Sequence, residues 1–157
     1  MKQVNASPRT LLMRGIDALS RREYSRLELG RKLMRTLTEG ETVDDVESVL
    51  DTLEEKGYLS NERYAQSRVR VRSSRYGNRR LAQELSMMGV DSETVREALS
   101  ETPDEFERAQ TIWEKKYGKA PTDRREYDRQ VRFLASRGFG FDIIRRVIQA
   151  APDEDFE

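Results

Sequence analysis

Between Arg63 and Arg80 the chain carries seven arginines and no acid. Six of them, Arg68, Arg70, Arg72, Arg75, Arg79 and Arg80, crowd into one short stretch, with Tyr76 among them. A guanidinium is planar, permanently charged and forked, so it suits phosphate and carboxylate alike. With no acid inside the run, self-neutralisation is a poor account, and a contact surface is expected. Its target is either DNA phosphates or an acidic strip on a protein, and in the first case each phosphate contact steepens the salt dependence of binding. Tyr76 can stack on a base, but its place beside Gly77 favours packing at a helix junction. Arg21, Arg22, Arg26, Arg31 and Lys32 form a second, weaker candidate surface. Glu23 and Glu28 interrupt it, so a self-paired face is the leading reading there.

Other chemistry is scarce. The chain has no cysteine and no histidine, which removes disulfides, thiolate metal sites, the thiol nucleophile and the commonest general base. No acid–base pair is recognisable among the remaining residues, so no enzyme, metal or cofactor is expected. Asp44, Asp45, Glu47, Asp51, Glu54 and Glu55 lack the alternating pattern of a calcium loop and read as a solvated helix face. Gly77 reads as a loop hinge rather than a phosphate cradle. Trp113 lies on an apolar stripe and reads as core.

Lys plus Arg and Asp plus Glu balance at 29 each, giving zero net charge over 157 residues. Zero net charge argues against a general nucleic-acid-binding module as the main activity. There is no apolar run near the roughly 18 residues of a membrane span and no signal-peptide pattern. A cytoplasmic protein is expected.

The elements that position these arginines follow from a repeat. Gly40, Gly89 and Gly138 recur every 49 residues, as do Val46, Val95 and Ile144, and Leu50, Leu99 and Ile148. A period of this length marks tandem supersecondary modules, each too small to bury its apolar face alone. The first unit reads as three helices. Leu12, Ile16 and Leu19 form one stripe, and Leu29 and Leu33 follow a Ser25–Glu28 capping box. Val43, Val46, Val49, Leu50 and Leu53 follow Thr42 and Asp45, with Gly57 as C-cap. In the second unit Ser60 caps a helix with Tyr64, Ala65 and Val69 inward. Gly77-Asn78 precedes Leu81 and Leu85, and Asp91 or Ser92 caps Val95, Ala98 and Leu99. In the third, Thr102 is expected as cap, Pro103 as first helical residue and Glu105 as the box acid. Phe106, Ala109, Trp113 and Tyr117 then face inward. Asp123 opens a helix with Tyr127, Val131 and Leu134, and a last helix holds Ile143, Ile144, Val147 and Ile148. The alternation Val69-Arg70-Val71-Arg72 resembles a strand, but its brevity favours a helix end. The expected organisation is a disordered 1–9, three-helix repeats at 10–59, 60–101 and 102–150, and an acidic tail at 151–157.

Several stretches carry a family resemblance. They are Arg22-Glu23-Tyr24-Ser25-Arg26-Leu27-Glu28-Leu29-Gly30-Arg31-Lys32-Leu33, then Lys56-Gly57-Tyr58-Leu59 with Asn61-Glu62-Arg63-Tyr64-Ala65. Next come Arg75-Tyr76-Gly77-Asn78-Arg79-Arg80-Leu81-Ala82-Gln83-Glu84-Leu85 with Gly89-Val90, and finally Phe133-Leu134-Ala135-Ser136-Arg137-Gly138-Phe139. In this order, over roughly residues 10–150, they resemble the RecX family. Asn78 stands where a proline is common, leaving a less rigid turn, and Met87-Met88 replace a more polar pair. The resemblance implies an all-α protein of three tandem three-helix repeats in an elongated, curved array. It implies a regulator of homologous recombination, DNA repair and the SOS response that is not an enzyme. The partner would be the RecA recombinase filament on single-stranded DNA, bound in its groove. ATPase, strand-exchange and co-protease activities would be restrained, and DNA would be met directly or through the filament. A monomer is expected. The alternatives are a sequence-independent DNA-binding helical module and a non-enzymatic helical scaffold.

Overall fold

The computed structural model describes residues 9–152. Of the expected disordered 1–9 and acidic tail 151–157, residues 1–8 and 153–157 lie outside the described residues. Among the described residues there are nine helices and no strand. They are α1 (Leu11–Arg21), α2 (Arg26–Met34), α3 (Val43–Glu55), α4 (Asn61–Arg72), α5 (Asn78–Met87), α6 (Ser92–Ser100), α7 (Glu105–Lys116), α8 (Arg124–Ser136) and α9 (Phe141–Gln149). The protein is an all-α array of three-helix repeats. Val69–Arg72 forms the last turn of α4. The chain divides into two compact units, one ending at Tyr64 and one beginning at Ala65.

In the N-terminal unit α3 packs on both α1 and α2. Leu29, Leu33, Val46, Leu50 and Leu53 are almost completely buried with Leu11, Ala18, Tyr24 and Leu59. The inward face of α1 is rotated from the expected Leu12-Ile16-Leu19 stripe. Leu11, Gly15 and Ala18 are buried, Leu12 and Leu19 pack at the margin, and Ile16 is 39% exposed. Gly15 explains the rotation: a Cβ there would lie 2.8 Å from Leu53 Cδ1, so the missing side chain lets α1 approach α3 closely. Val43 is also exposed, and the α3 stripe starts one turn later at Val46.

Caps fix most helix starts. Thr42 and Asp45 form a reciprocal capping box on α3, worth about 1 kcal/mol. Ser25 caps α2 with its hydroxyl, but Glu28 pairs with Arg22 instead of closing a box. The expected start of the first helix in the third repeat is corrected by two residues. Asp104, not Thr102, caps α7 by accepting from the Phe106 N–H. The Thr102 hydroxyl is spent on the Leu99 carbonyl at the end of α6, and Pro103 lies before the cap. Glu105 is drawn away to accept from the Asn78 N–H at 2.7 Å.

In the C-terminal unit α7 and α8 both pack on α9 around Ala109, Trp113, Leu134, Phe139 and Ile144. Trp113 is core, as expected, and its indole N–H donates to buried Gln130 at 2.8 Å. Gly89 and Gly138 each end a second helix in a Schellman turn. The Val90 and Phe139 N–H groups reach back to the Leu85 and Leu134 carbonyls. Gly40 also has positive φ (85°), but it sits in the longer α2–α3 loop. There Arg14 donates to the Thr36 carbonyl at 2.7 Å and pairs with Glu41.

The closest approach in this unit joins the second repeat to the third. The Gly77 N–H donates to the Arg137 carbonyl at 2.8 Å, and the Arg79 N–H to the Gly138 carbonyl at 3.0 Å. A Cβ on Gly77 would fall 2.5 Å from the Gly138 oxygen, and one on Gly138 only 2.2 Å from Arg80 Cβ. Gly77 is therefore a packing glycine rather than the hinge expected of it.

Two predictions follow from this packing and from the Arg14–Glu41 brace. Gly40 and Gly138 share a left-handed backbone, but nothing lies within 4 Å of a Cβ at Gly40. Gly40→Ala should cost only the backbone strain, about 1–2 kcal/mol, whereas Gly138→Ala adds overpacking of roughly 1–3 kcal/mol or more. Urea unfolding of the two variants checks the ordering, and equal losses would refute the contact. Arg14 holds the Glu41 carboxyl down to about 2, from an ordinary 4.5. A depressed carboxylate stabilises the fold above its unfolded pKa and loses that contribution as pH falls toward the folded one. Stability should therefore decline from about pH 5 to pH 2, and Glu41→Gln should flatten that limb of the acid titration.

Candidate partner-contact surface

The arginine run begins on α4, crosses the turn at 73–77 and ends on the first turn of α5. Helical geometry and the turn divide it into two sets. Arg72 donates twice to Glu84, at 2.8 and 2.6 Å, and Arg80 pairs with the same carboxylate at 3.3 Å. Both guanidiniums also lie over the Tyr76 ring, at 4.6 and 4.0 Å, with Arg137 at 5.9 Å. Burial pushes the Glu84 carboxyl up, but the bonds to Arg72 and Arg80 outweigh it and leave it below the usual range. Tyr76 thus packs at a helix junction ringed by cations. Its neutralising acid lies one helical turn beyond the run, where the absence of acid within 63–80 gave no warning of it.

Arg68, Arg70, Arg75 and Arg79 form the other set. All four are exposed and, among the described residues, none has a carboxylate partner. Arg70 borders a cleft between α4 and the start of the third repeat, with Gln66, Ala98 and Pro103. Arg79 and Arg80 border a broader groove of about 860 Å³ with Met87 and Phe139. Met87 is 66% exposed, so this groove joins basic and apolar surface.

One residue that shapes this surface was not singled out from the sequence. Arg108 of α7 is only 6% exposed and faces the α4–α5 turn. Its guanidinium donates to the carbonyls of Ser73 and Tyr76, each at 2.9 Å, to that of Pro103 at 3.1 Å, and to Asn78 Oδ1. Burial lowers its pKa, offset in part by Glu105 and Asp104. Asn78, expected to loosen the turn, is instead pinned by Arg108 on its side chain and by Glu105 on its N–H.

In the N-terminal unit the second basic group is largely self-paired. Arg21 pairs with Asp17 at 3.6 Å, and Arg22 pairs with Glu28 while covering the Tyr24 ring at 3.6 Å. Arg26 meets Glu47, Asp51 and Glu54 at 2.8–3.1 Å. These three acids, read as a purely solvated face, clasp one guanidinium: their spacing on α3 lines them up where α2 packs. Burial opposes the Arg26 charge, but the three carboxylates raise its pKa overall. Lys32 approaches Tyr24 at 5.9 Å, and Arg31 is exposed with no partner among the described residues. No group of three or more acids that could hold a metal occurs among the described residues, and no helix there is long and apolar enough to cross a membrane.

Removing Arg108 orphans buried carbonyls, each worth about 1–3 kcal/mol when unsatisfied. Arg108→Ala should lower the urea midpoint and speed amide exchange at Tyr76 and Asn78. Arg108→Lys should recover little, because an ammonium cannot span the same acceptors. Wild-type exchange in Arg108→Ala would disprove the tie.

Two family models match this chain. The one described as RecX, second three-helix domain, covers residues 60–99, and the one described as RecX, third three-helix domain, covers 103–148. A regulatory protein RecX of Chromobacterium violaceum is 42% identical over 151 residues, covering 96% of this chain and 97% of its own. Another from Ralstonia nicotianae is 43% identical over 145 residues, covering 92% and 89%. The crystal structure of RecX from Lactobacillus salivarius superposes with a TM-score of 0.70 at 25% identity, over 88% of this chain and 95% of that one. With its helical repeats matched by fold and its sequence matched nearly end to end, the chain belongs to the RecX family of regulatory proteins.

Proposed function

We propose that this protein regulates a RecA recombinase by binding its filament on single-stranded DNA, and that it suppresses ATP hydrolysis, strand exchange and co-protease activity. The observation that carries the reading is a set of unneutralised arginines, Arg68, Arg70, Arg75 and Arg79, in a member of a regulatory family. Four exposed guanidiniums without carboxylates can meet an acidic protein strip or a phosphate row across neighbouring subunits. The repeats at 10–59, 60–101 and 102–150 would each meet a different part of the lattice. Bridging subunits hinders their rearrangement during nucleotide turnover and obstructs a second DNA strand. The protein acts without catalysis, as a monomer, in the cytoplasm.

Arg72 and Arg80 hold Tyr76 and Glu84 in place, so a test of contact spares them. The variant Arg70→Glu/Arg75→Glu/Arg79→Glu should keep the wild-type melting temperature. Its inhibition of DNA-dependent ATP hydrolysis by the cognate recombinase should weaken about tenfold or more, equivalent to roughly 1.4 kcal/mol. Unchanged inhibition by the folded variant removes these arginines from the interface. No inhibition by the wild-type protein at equimolar recombinase would sink the filament reading itself.

A further inference from the structure

A second cleft, of about 290 Å³, opens in the C-terminal unit where the α4–α5 turn meets the ends of α7 and α8. Arg75 enters it from the turn, Lys115 and Lys116 from the last turn of α7, and Arg137 from the C-cap of α8. Ile112 and Phe133 supply its apolar lining, and no lining residue is an acid. Among the described residues, none of the four cations has an ion-pair partner.

Two of the cations are positioned without being neutralised. Arg137 lies between two rings, 5.3 Å from the Phe133 centroid and 5.9 Å from that of Tyr76, and Lys116 Nζ stands 5.6 Å over Phe133. The carbonyl end of α7 favours positive charge in its last turn. These interactions hold Arg137 and Lys116 in place but leave the cleft with its full charge. A concave surface lined by one sign of charge concentrates counter-ions of the other.

The size and charge spacing select the ligand. The volume lies at the low end for binding pockets, so it admits one residue-sized group rather than a helix. A single carboxylate side chain engages one or two cations, whereas four converging on one small cleft match an anion that repeats its charge along a chain. Lysine, a point charge with rotatable donors, suits phosphate without demanding a fixed fork. Ile112 and Phe133 offer apolar surface to a sugar or a base edge.

We propose that this cleft binds the phosphodiester backbone of a single nucleic-acid strand directly, with no recombinase present. Fluorescence anisotropy of labelled oligo(dT), titrated with the full chain over a range of salt, tests it. Lys115 and Lys116 are exposed, so Lys115→Ala/Lys116→Ala should keep the wild-type melting temperature. The double variant should bind the strand at least tenfold more weakly at low salt. Its log–log salt slope should be shallower by about 1.4, because each phosphate contact on a single strand contributes roughly 0.7. Failure of the wild-type protein to bind oligo(dT) at low salt overturns the proposal, as does unchanged affinity and slope in the double variant. Lost recombinase inhibition with oligo(dT) binding intact also overturns it, and assigns the cleft to an acidic protein surface. Strand binding that depends on the lysines, in a protein that leaves recombinase ATP hydrolysis untouched, would support the cleft while refuting the filament reading.

Discussion

The C-terminal unit depends on how the first N–H groups of α5 are satisfied. A helix start leaves such donors without intrahelical partners, and Gly77, at the N-cap of α5, offers no side chain to accept them. The Asn78 N–H goes to Glu105 of α7, and the Arg79 N–H goes to the Gly138 carbonyl between α8 and α9. The second of these bonds requires backbone to meet backbone, which only glycine at both Gly77 and Gly138 permits. The same logic recurs in the N-terminal unit, where Asn61 accepts from the Arg26 N–H at 2.7 Å. In each case the second helix of a repeat is capped from the first residue of a later helix. The second and third repeats are therefore joined by hydrogen bonds that neither can make alone.

That constraint also sorts the charge. Guanidiniums near the junctions are taken up by structure: Arg108 by carbonyls, Arg72 and Arg80 by Glu84 and Tyr76, Arg26 by three acids of α3. Arg68, Arg70, Arg75 and Arg79 have no carboxylate partner among the described residues, so zero net charge coexists with basic local surface. Exposed pairs such as Arg124–Asp128, at 86% and 49% exposure, contribute little to stability. The unpaired arginines cost the fold little either, so they can be given over to a partner.

The helices were legible in the sequence because apolar spacing and capping residues are local signals. Leu29 with Leu33, Val46 with Leu50, and Leu81 with Leu85 are all buried as their spacing implies. The errors arose where a distant group intervened. Glu105 satisfied a local capping pattern but was captured by Asn78, and the face of α1 turned because Gly15 lies against Leu53. The arginine run was visible as a run, yet its division into structural and unpaired members needed Glu84 and the fold of the 73–77 turn. Arg108 was not singled out, since nothing in the spacing around Phe106 and Ala109 marks its burial. Partners separated by some 30 residues, as Arg108 and Asn78 are, leave no periodic trace.

The same long separations bear on the order in which the chain is made. During synthesis N-terminal segments generally fold first. The N-terminal unit has all its internal partners once Tyr64 has emerged. The second repeat does not: its helix start and its basic turn wait for Arg108 and then for Gly138. Until the ribosome has delivered both, the first donors of α5 have only water to meet and the turn bearing Arg75 lacks its Arg108 tie. The second and third repeats are thus separate in sequence pattern but mature together, and a nascent or truncated chain ending before Gly138 lacks the finished arginine surface.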